Sequence, residues 1–252
     1  MMSKGVGELS GKSLVLSLNI YYNDNIKERT AQIVEFFGLP AGQPDIGAIG
    51  VGSAVTPESF VGIFPRSSCF VVENEFAGAQ RAAEVAAADH PGAHLLIAND
   101  SLGRHWTLSW VRRRWFRRAL REANGRRQFV VISEHYIGRP EKFPGTVGVK
   151  EWYTSNYFYT NAPKTLARAF DEARRVSKDV PDLFRREAEL FARKLLASRG
   201  VKVTAERLES KVTRTWTEVC LFHTIRASGL DVVPASMGRS LPNRFLHRFI
   251  DR

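Results

Sequence analysis

The feature that most constrains the fold is a rhythm in the first hundred residues. Short runs rich in aliphatic and β-branched residues alternate with segments whose apolar residues recur at helical spacing. Residues 13–22 (SLVLSLNIYY) form one such run, and Asn23-Asp24-Asn25 supply turn and N-cap chemistry. Ile26, Thr30, Ile33, Val34 and Phe37 then follow a helical period until Gly38 and Pro40 stop it. Residues 45–54 (DIGAIGVGSA) and 68–72 (SCFVV) read as buried strands, the alanine-rich 77–89 as a helix closed by His90-Pro91-Gly92, and 94–98 (HLLIA) as a strand ending at Asn99-Asp100-Ser101. This alternation predicts an α/β fold: a mostly parallel sheet with flanking helices, binding ligands at the carboxyl ends of its strands.

The second half reads as mainly helical. An Arg-rich amphipathic helix spans 106–123, a strand 128–133, and a long aromatic loop runs from Glu134-His135-Tyr136 to Trp152-Tyr153-Thr154-Ser155-Asn156-Tyr157-Phe158. Helices are expected at 162–176, 181–198 and 204–228, and a last strand at 230–233. No repeat, low-complexity tract or Gly/Ser linker divides the chain, so one domain over 1–252 is expected, with 1–12 disordered and 234–252 a basic amphipathic tail.

Several classes are excluded. The longest uncharged stretches, 46–57 and 152–163, are too short and too rich in Gly, Pro, Asn or Thr for a membrane span of roughly 20 apolar residues. The first twelve residues carry no apolar signal core, so a cytoplasmic location is expected. Cys69 and Cys220, the two cysteines, sit in apolar runs and read as buried thiols, not a disulfide or a zinc site. The Gly-rich stretch 46–53 has neither the dinucleotide-binding order nor the P-loop order.

Charge is the unusual global quantity: 37 Lys and Arg against 26 Asp and Glu leave +11, a surface that attracts polyanions. The excess concentrates between Arg104 and Arg127 and at the chain end, in Arg239, Arg244, His247, Arg248 and Arg252. Both segments pair basic with bulky apolar residues, the pattern of a helix lying on an anionic membrane or contacting phosphate. Arg112, Arg113, Arg117, Arg244 and Arg248 are the expected contacts, which would make the protein peripheral on the inner membrane face. The alternative is a helix with one face in the core and solvated arginines outside.

Two places hold candidate chemistry. Asn99-Asp100-Ser101 ends a strand, where the Asp100 carboxylate could hold a divalent ion and through it a diphosphate, or cap the following helix. Glu218, in Trp216-Thr217-Glu218, reads as a first-turn carboxylate that could act as a general base or serve the helix dipole. Glu134, directly after a strand, is a reserve base, with Ser133 and His135 beside it at the sheet's functional edge. Trp152, Tyr153, Tyr157, Phe158 and Tyr159 form an aromatic block able to stack on a sugar face or to form core, and Ser133, His135, Trp152, Tyr153 and Asn156 are the expected acceptor contacts.

Taken in order, LSLNIYYNDNIKERTAQIV, FVVENEFAGAQRA, HLLIANDS and WTEVCLFHTIRASGLDVV resemble the GT-A glycosyltransferases, especially the large inverting family 2 group. The segment GRRQFVVISEHYIGRP…KEWYTSNYFYTN resembles the rhamnan synthesis protein F family. The resemblance covers roughly residues 14–233. It implies a GT-A-like domain that moves a hexosyl or deoxyhexosyl group from a nucleoside diphosphate sugar to a saccharide or lipid-linked acceptor in surface polysaccharide synthesis. It places Asn19 and Tyr21 at the nucleotide end of the first strand, Glu73, Asn74 and Gln80 near the sugar nucleotide, Asp100 at the Mg²⁺ or Mn²⁺ and diphosphate position, and Glu218 as the base. His247 lies near a late metal-binding His. The chain departs from the family in having one carboxylate, Asp100, where two are usual, and Thr217-Glu218 where Glu-Asp is usual. A basic nucleic-acid-binding protein and a non-catalytic GT-A-like binding domain are the competing classes; no nucleic-acid motif supports the former.

Overall fold

The computed structural model describes residues 13–20, 26–39, 46–51, 69–99, 102, 108–137, 151–153, 156–198, 200 and 202–237. The strands are β1 (Leu14–Ile20), β2 (Ile46–Val51), β3 (Cys69–Val72), β4 (His94–Asn99), β5 (Phe129–Ile137), β6 (Glu151–Tyr153), β7 (Tyr157–Thr160) and β8 (Asp231–Met237). The helices are α1 (Ile26–Phe37), α2 (Glu75–Asp89), α3 (Trp110–Ala123), α4 (Pro163–Val176), α5 (Asp182–Ser198) and α6 (Ala205–Ala227).

All eight strands join one sheet, whose hydrogen-bonded path runs β3-β2-β1-β4-β7-β5-β6, with β8 also paired to β5. β1 pairs in parallel with β2 and β4, β2 with β3, and β5 with β8; β7 runs antiparallel to both β4 and β5. His135 pairs with Met237 on one side and Tyr153 on the other, so β6 lies on the same edge of β5 as β7 and extends that row. The chain is thus α/β with a mostly parallel sheet. The order reverses between β1 and β4: β2 and β3 build outward from β1 in one direction, and β4 starts the other. At such a reversal the connections leave on opposite sides and open a crevice at the carboxyl ends.

Period-two alternation sorts the strand residues between two layers. Leu14, Leu16 and Leu18 of β1, with Leu96, Ala98, Val131, Tyr157 and Tyr159, face α1 and α3 through Ile33, Phe36, Phe37, Phe116 and Ala119. Val15, Leu95, Ile97, Val130, Ile132 and Phe158 face the opposite layer, where α2, α4, α5 and α6 contribute Ala83, Phe170, Phe184, Val212 and Phe222. The alanines at 79, 82, 83 and 86 let α2 sit close to both the sheet and α4. Edge-on rings of Phe37, Phe116 and Tyr157, with centroids 4.8–5.5 Å apart, fill the first layer.

Several sequence expectations are corrected. The segment expected as one aromatic loop holds the end of β5, all of β6 and the first two residues of β7, and β7 is buried along its whole length. A strand buried on both faces shows no alternation, and its Asn, Ser and Thr neighbours mimic loop composition. The last strand runs on to Met237, so residues 234–237 of the expected amphipathic tail are sheet; the rest of the tail lies outside the described residues. The Arg-rich helix begins at Trp110, capped by Ser109, not at residue 106. Cys220 is buried and free; the Cys69 side chain lies outside the described residues.

Phe170 is fully buried and meets Phe158 edge-on at 5.2 Å. Phe170→Ala should cost about 3–5 kcal/mol, read as a lowered urea midpoint at unchanged slope. Burial pushes the Cys220 thiol up to about 11 from 9.0. The unfolded thiol therefore ionises first, and this group's contribution to stability is present below pH 9 and falls as pH rises toward 11. At pH 8 a disulfide reagent should leave Cys220 unmodified in the native protein and react once it is unfolded in urea.

Candidate functional site

The carboxyl edge gathers polar residues that the strands themselves place there. Asn19 of β1 and Asn99 of β4 are register partners, both on the α2 side of the sheet by alternation, and both are buried. The Asn19 amide donates to Asn99 Oδ1 at 3.0 Å and to the Glu75 carbonyl at 3.3 Å. Asn99 in turn donates its backbone N–H to the Asn156 carbonyl and accepts from Leu102 N, each at 3.0 Å. Asn19 is 1% exposed, and among the described residues its side-chain oxygen has no hydrogen-bond partner. A buried amide oxygen without a donor costs about 1–3 kcal/mol, so such a group is normally completed by a water or a ligand.

The start of α2 is tied to the same place. Asn74 caps it, accepting from Phe76 N at 3.0 Å and Ala77 N at 2.9 Å. Glu75, buried in the first turn, pairs with Arg214 of α6, so a long helix late in the chain is fastened to the ends of β1 and β4. Glu218 lies one turn after Arg214 on the same face of α6, since residues four apart on a helix are neighbours. It is half-buried, fourteen positions into a helix that starts at Ala205; the first-turn reading is therefore wrong, and the helix dipole does not account for it. α6 also packs against β6, the strand that carries Trp152 and Tyr153.

Farther along the edge, Ser133 and Glu134 at the end of β5 are buried. Glu134 shares its surroundings with Arg112 and Tyr157. The Tyr157 phenol is pushed well above its ordinary value by burial first and by the negative Glu134 next, with Arg112 partly offsetting both. Arg112, expected at a membrane or phosphate surface, is 4% exposed and faces the interior. Arg113 and Arg117 extend to Gly38, at the end of α1, where their charge complements the helix carboxyl terminus.

Glu73 and Gln80 serve a different contact. Arg174 of α4 pairs with Glu73 and donates to Gln80 Oε1 at 2.7 Å, while Gln80 donates to Glu84 at 2.9 Å and to Asp171 at 3.3 Å. These residues join α2 to α4. Tyr21, Asp100, Arg244, His247 and Arg248 lie outside the described residues, as do the side chains of His135, Trp152 and Tyr153. Among the described residues no three His, Cys, Asp or Glu side chains cluster to hold a metal. The described part of the edge offers amide oxygens, and its Glu75 carboxylate is engaged by Arg214. A hard divalent cation prefers several oxygen ligands including carboxylates, and this set alone does not fit one.

Sequence reasoning missed Glu75 and Arg214, while Tyr157, taken with the aromatic block, proves to be core. Glu75 stands beside the selected Glu73 and Asn74, and its place as an acid in a first turn looked like ordinary helix chemistry.

No protein-family model and no curated protein matches the chain. Among solved structures, a protein described as a nucleotide-diphospho-sugar transferase from Desulfovibrio desulfuricans G20 is similar at 11% identity and a TM-score of 0.41, covering 89% of this chain and 80% of that one. The mannosyltransferase PcManGT from Pyrobaculum calidifontis, in complex with GDP-Man and Mn²⁺, is similar at 14% identity and a TM-score of 0.36, covering 95% and 80%. Likenesses this distant assign neither family nor activity.

Removing Arg214 takes from the buried Glu75 carboxylate the cation that pairs with it. Arg214→Ala should cost about 2–3 kcal/mol, less than the ~3–5 of a fully buried pair because the Arg214 side chain is 37% exposed. Adding Glu75→Gln should recover part of that loss in urea unfolding.

Proposed function

We propose that the chain is a nucleotide-sugar-dependent glycosyltransferase acting on a saccharide or lipid-linked acceptor in surface polysaccharide assembly, with the donor held at the carboxyl edge between β1 and β4. The observation that carries this reading is the buried Asn19, whose amide oxygen lacks a donor among the described residues at the point where the strand order reverses. A nucleotide ligand offers N–H and O–H donors suited to such an oxygen. Three of the four sequence segments that resemble GT-A enzymes supply β1, the β3–α2 junction and β4, which meet at this edge through Asn19, Glu75 and Asn99, and the fourth supplies the α6–β8 unit.

In this reading Glu218 accepts the proton of the acceptor hydroxyl. The acceptor oxygen bonds to the anomeric carbon, and the carbon–oxygen bond to the nucleoside diphosphate breaks. Glu218 suits the role better than Glu134: it is half-buried one turn after Arg214 on α6, whereas Glu134 is 4% exposed and less accessible to an acceptor. Asp100, the residue after Asn99, would be the carboxylate to hold a divalent ion, which would supply positive charge to the departing diphosphate.

The direct test is a melting-temperature screen against nucleoside diphosphates and nucleotide sugars, with and without Mn²⁺. One nucleotide class should stabilise the protein, and Asn19→Ala should weaken that stabilisation. A flat response across the panel sinks the proposal. For the base, Glu218→Gln should abolish transfer and leave the donor-induced shift intact, while Asp100→Ala should reduce both. Full turnover in Glu218→Gln would move the role to Glu134. Donor binding without turnover in the unmodified protein would make this a non-catalytic binding domain.

A further inference from the structure

The Arg-rich helix α3 divides its cations in a way that composition does not reveal. Arg112 lies in the middle of the buried face with Phe116, Ala119 and Ala123, and Arg113 and Arg117 turn toward the end of α1. The remaining outward stripe is Trp110, Arg114, Arg118 and Arg121, spaced four, four and three residues apart, which keeps them on one side of the helix. Trp110 is 72% exposed, the most exposed large apolar side chain among the described residues. The one acid of α3, Glu122, already pairs with Arg126 at 3.3 Å.

We propose that this stripe docks the protein on an anionic lipid surface. Charge complementarity is the first reason, for the stripe carries cations only and the chain carries +11. The exposed side chain is the second: tryptophan has an apolar body and one N–H, and settles where headgroups meet acyl chains. The third is shape. A straight helix face about 17 Å from Trp110 to Arg121 meets a plane. A single-stranded nucleic acid calls instead for a groove with several stacking rings, and α3 turns one aromatic side chain fully outward. Topology adds a consequence. α3 follows the carboxyl end of β4 and leads back to the start of β5, so Trp110 stands at the same edge of the sheet as Asn19 and Asn99. Docking through Trp110 brings that edge to the bilayer, which deepens the proposed function by selecting the lipid-linked class of acceptor and, in that respect, rests on it.

The test is co-sedimentation of the full chain with phosphatidylcholine vesicles, with and without phosphatidylglycerol. Binding should require the anionic lipid and fall as salt rises. Arg114→Gln and Arg118→Gln should each lower the partition coefficient about five-fold, and Trp110→Ala should lower it further while removing a blue-shifted component of the vesicle-bound fluorescence. All three variants should keep the nucleotide-induced melting shift of the parent, so failure here is distinct from failure of the donor assignment. Equal binding to neutral vesicles, unchanged binding in the Arg114→Gln/Arg118→Gln double variant, or tighter binding to random oligonucleotides than to anionic vesicles would overturn the proposal.

Discussion

The parallel pairing of β1 with β4 is the constraint on which the rest depends. Its register sets Leu14 opposite His94 and Asn19 opposite Asn99, and a slip of one residue would turn Leu14, Leu16 and Leu18 away from their layer and carry Asn19 to the wrong face. Both neighbours lock the register, since β2 lies on one side of β1, β7 lies beyond β4, and β1, β4 and β7 are all buried. The polar edge is therefore a by-product of hydrophobic sorting. Asn19 and Asn99 meet because the apolar residues before them can be buried in one register only.

A second set of ties crosses from late in the chain to early. Arg214 reaches Glu75, Arg174 reaches Glu73 and Gln80, and Thr217 donates to the Ser177 hydroxyl at 3.1 Å. These polar contacts sit on an alanine-lined helix interface and orient α6 over the carboxyl edge. Without them the helical half would be free to settle at other angles on the same apolar surface. On the opposite layer, Arg112 and Tyr157 are buried within an otherwise aromatic and aliphatic core, and the charges of Glu134 and Arg112 act on the Tyr157 phenol in opposite directions.

Much of the fold was legible in the chain itself. α1 matches its expected range, and β4, α4, α5 and α6 fall within a residue or two of theirs, because each has a clear apolar period and a cap or breaker at its ends. β6 and β7 were hidden: a three-residue strand is too short to show a period, and YFYT, buried on both faces, has none. The site was partly legible. Asn99, Ser133 and Glu134 were selected from their places at the ends of predicted strands, Asn19 by resemblance and Asn156 with the aromatic block, and the structure sets all five along the carboxyl edge. Glu73 and Gln80 were selected by resemblance and prove to join α2 to α4.

The sequence by itself determined the helices and the strands of the first half, that the sheet is largely parallel, and that the chain carries a strong positive charge. Those properties follow from local period, capping and composition. Only the tertiary structure decided which of six arginines on one helix face the core, a neighbouring helix or the outside, and which of several acids stands beside Asn19. Such choices depend on the angular position of each residue relative to partners fifty or more positions away, and no local pattern encodes that angle.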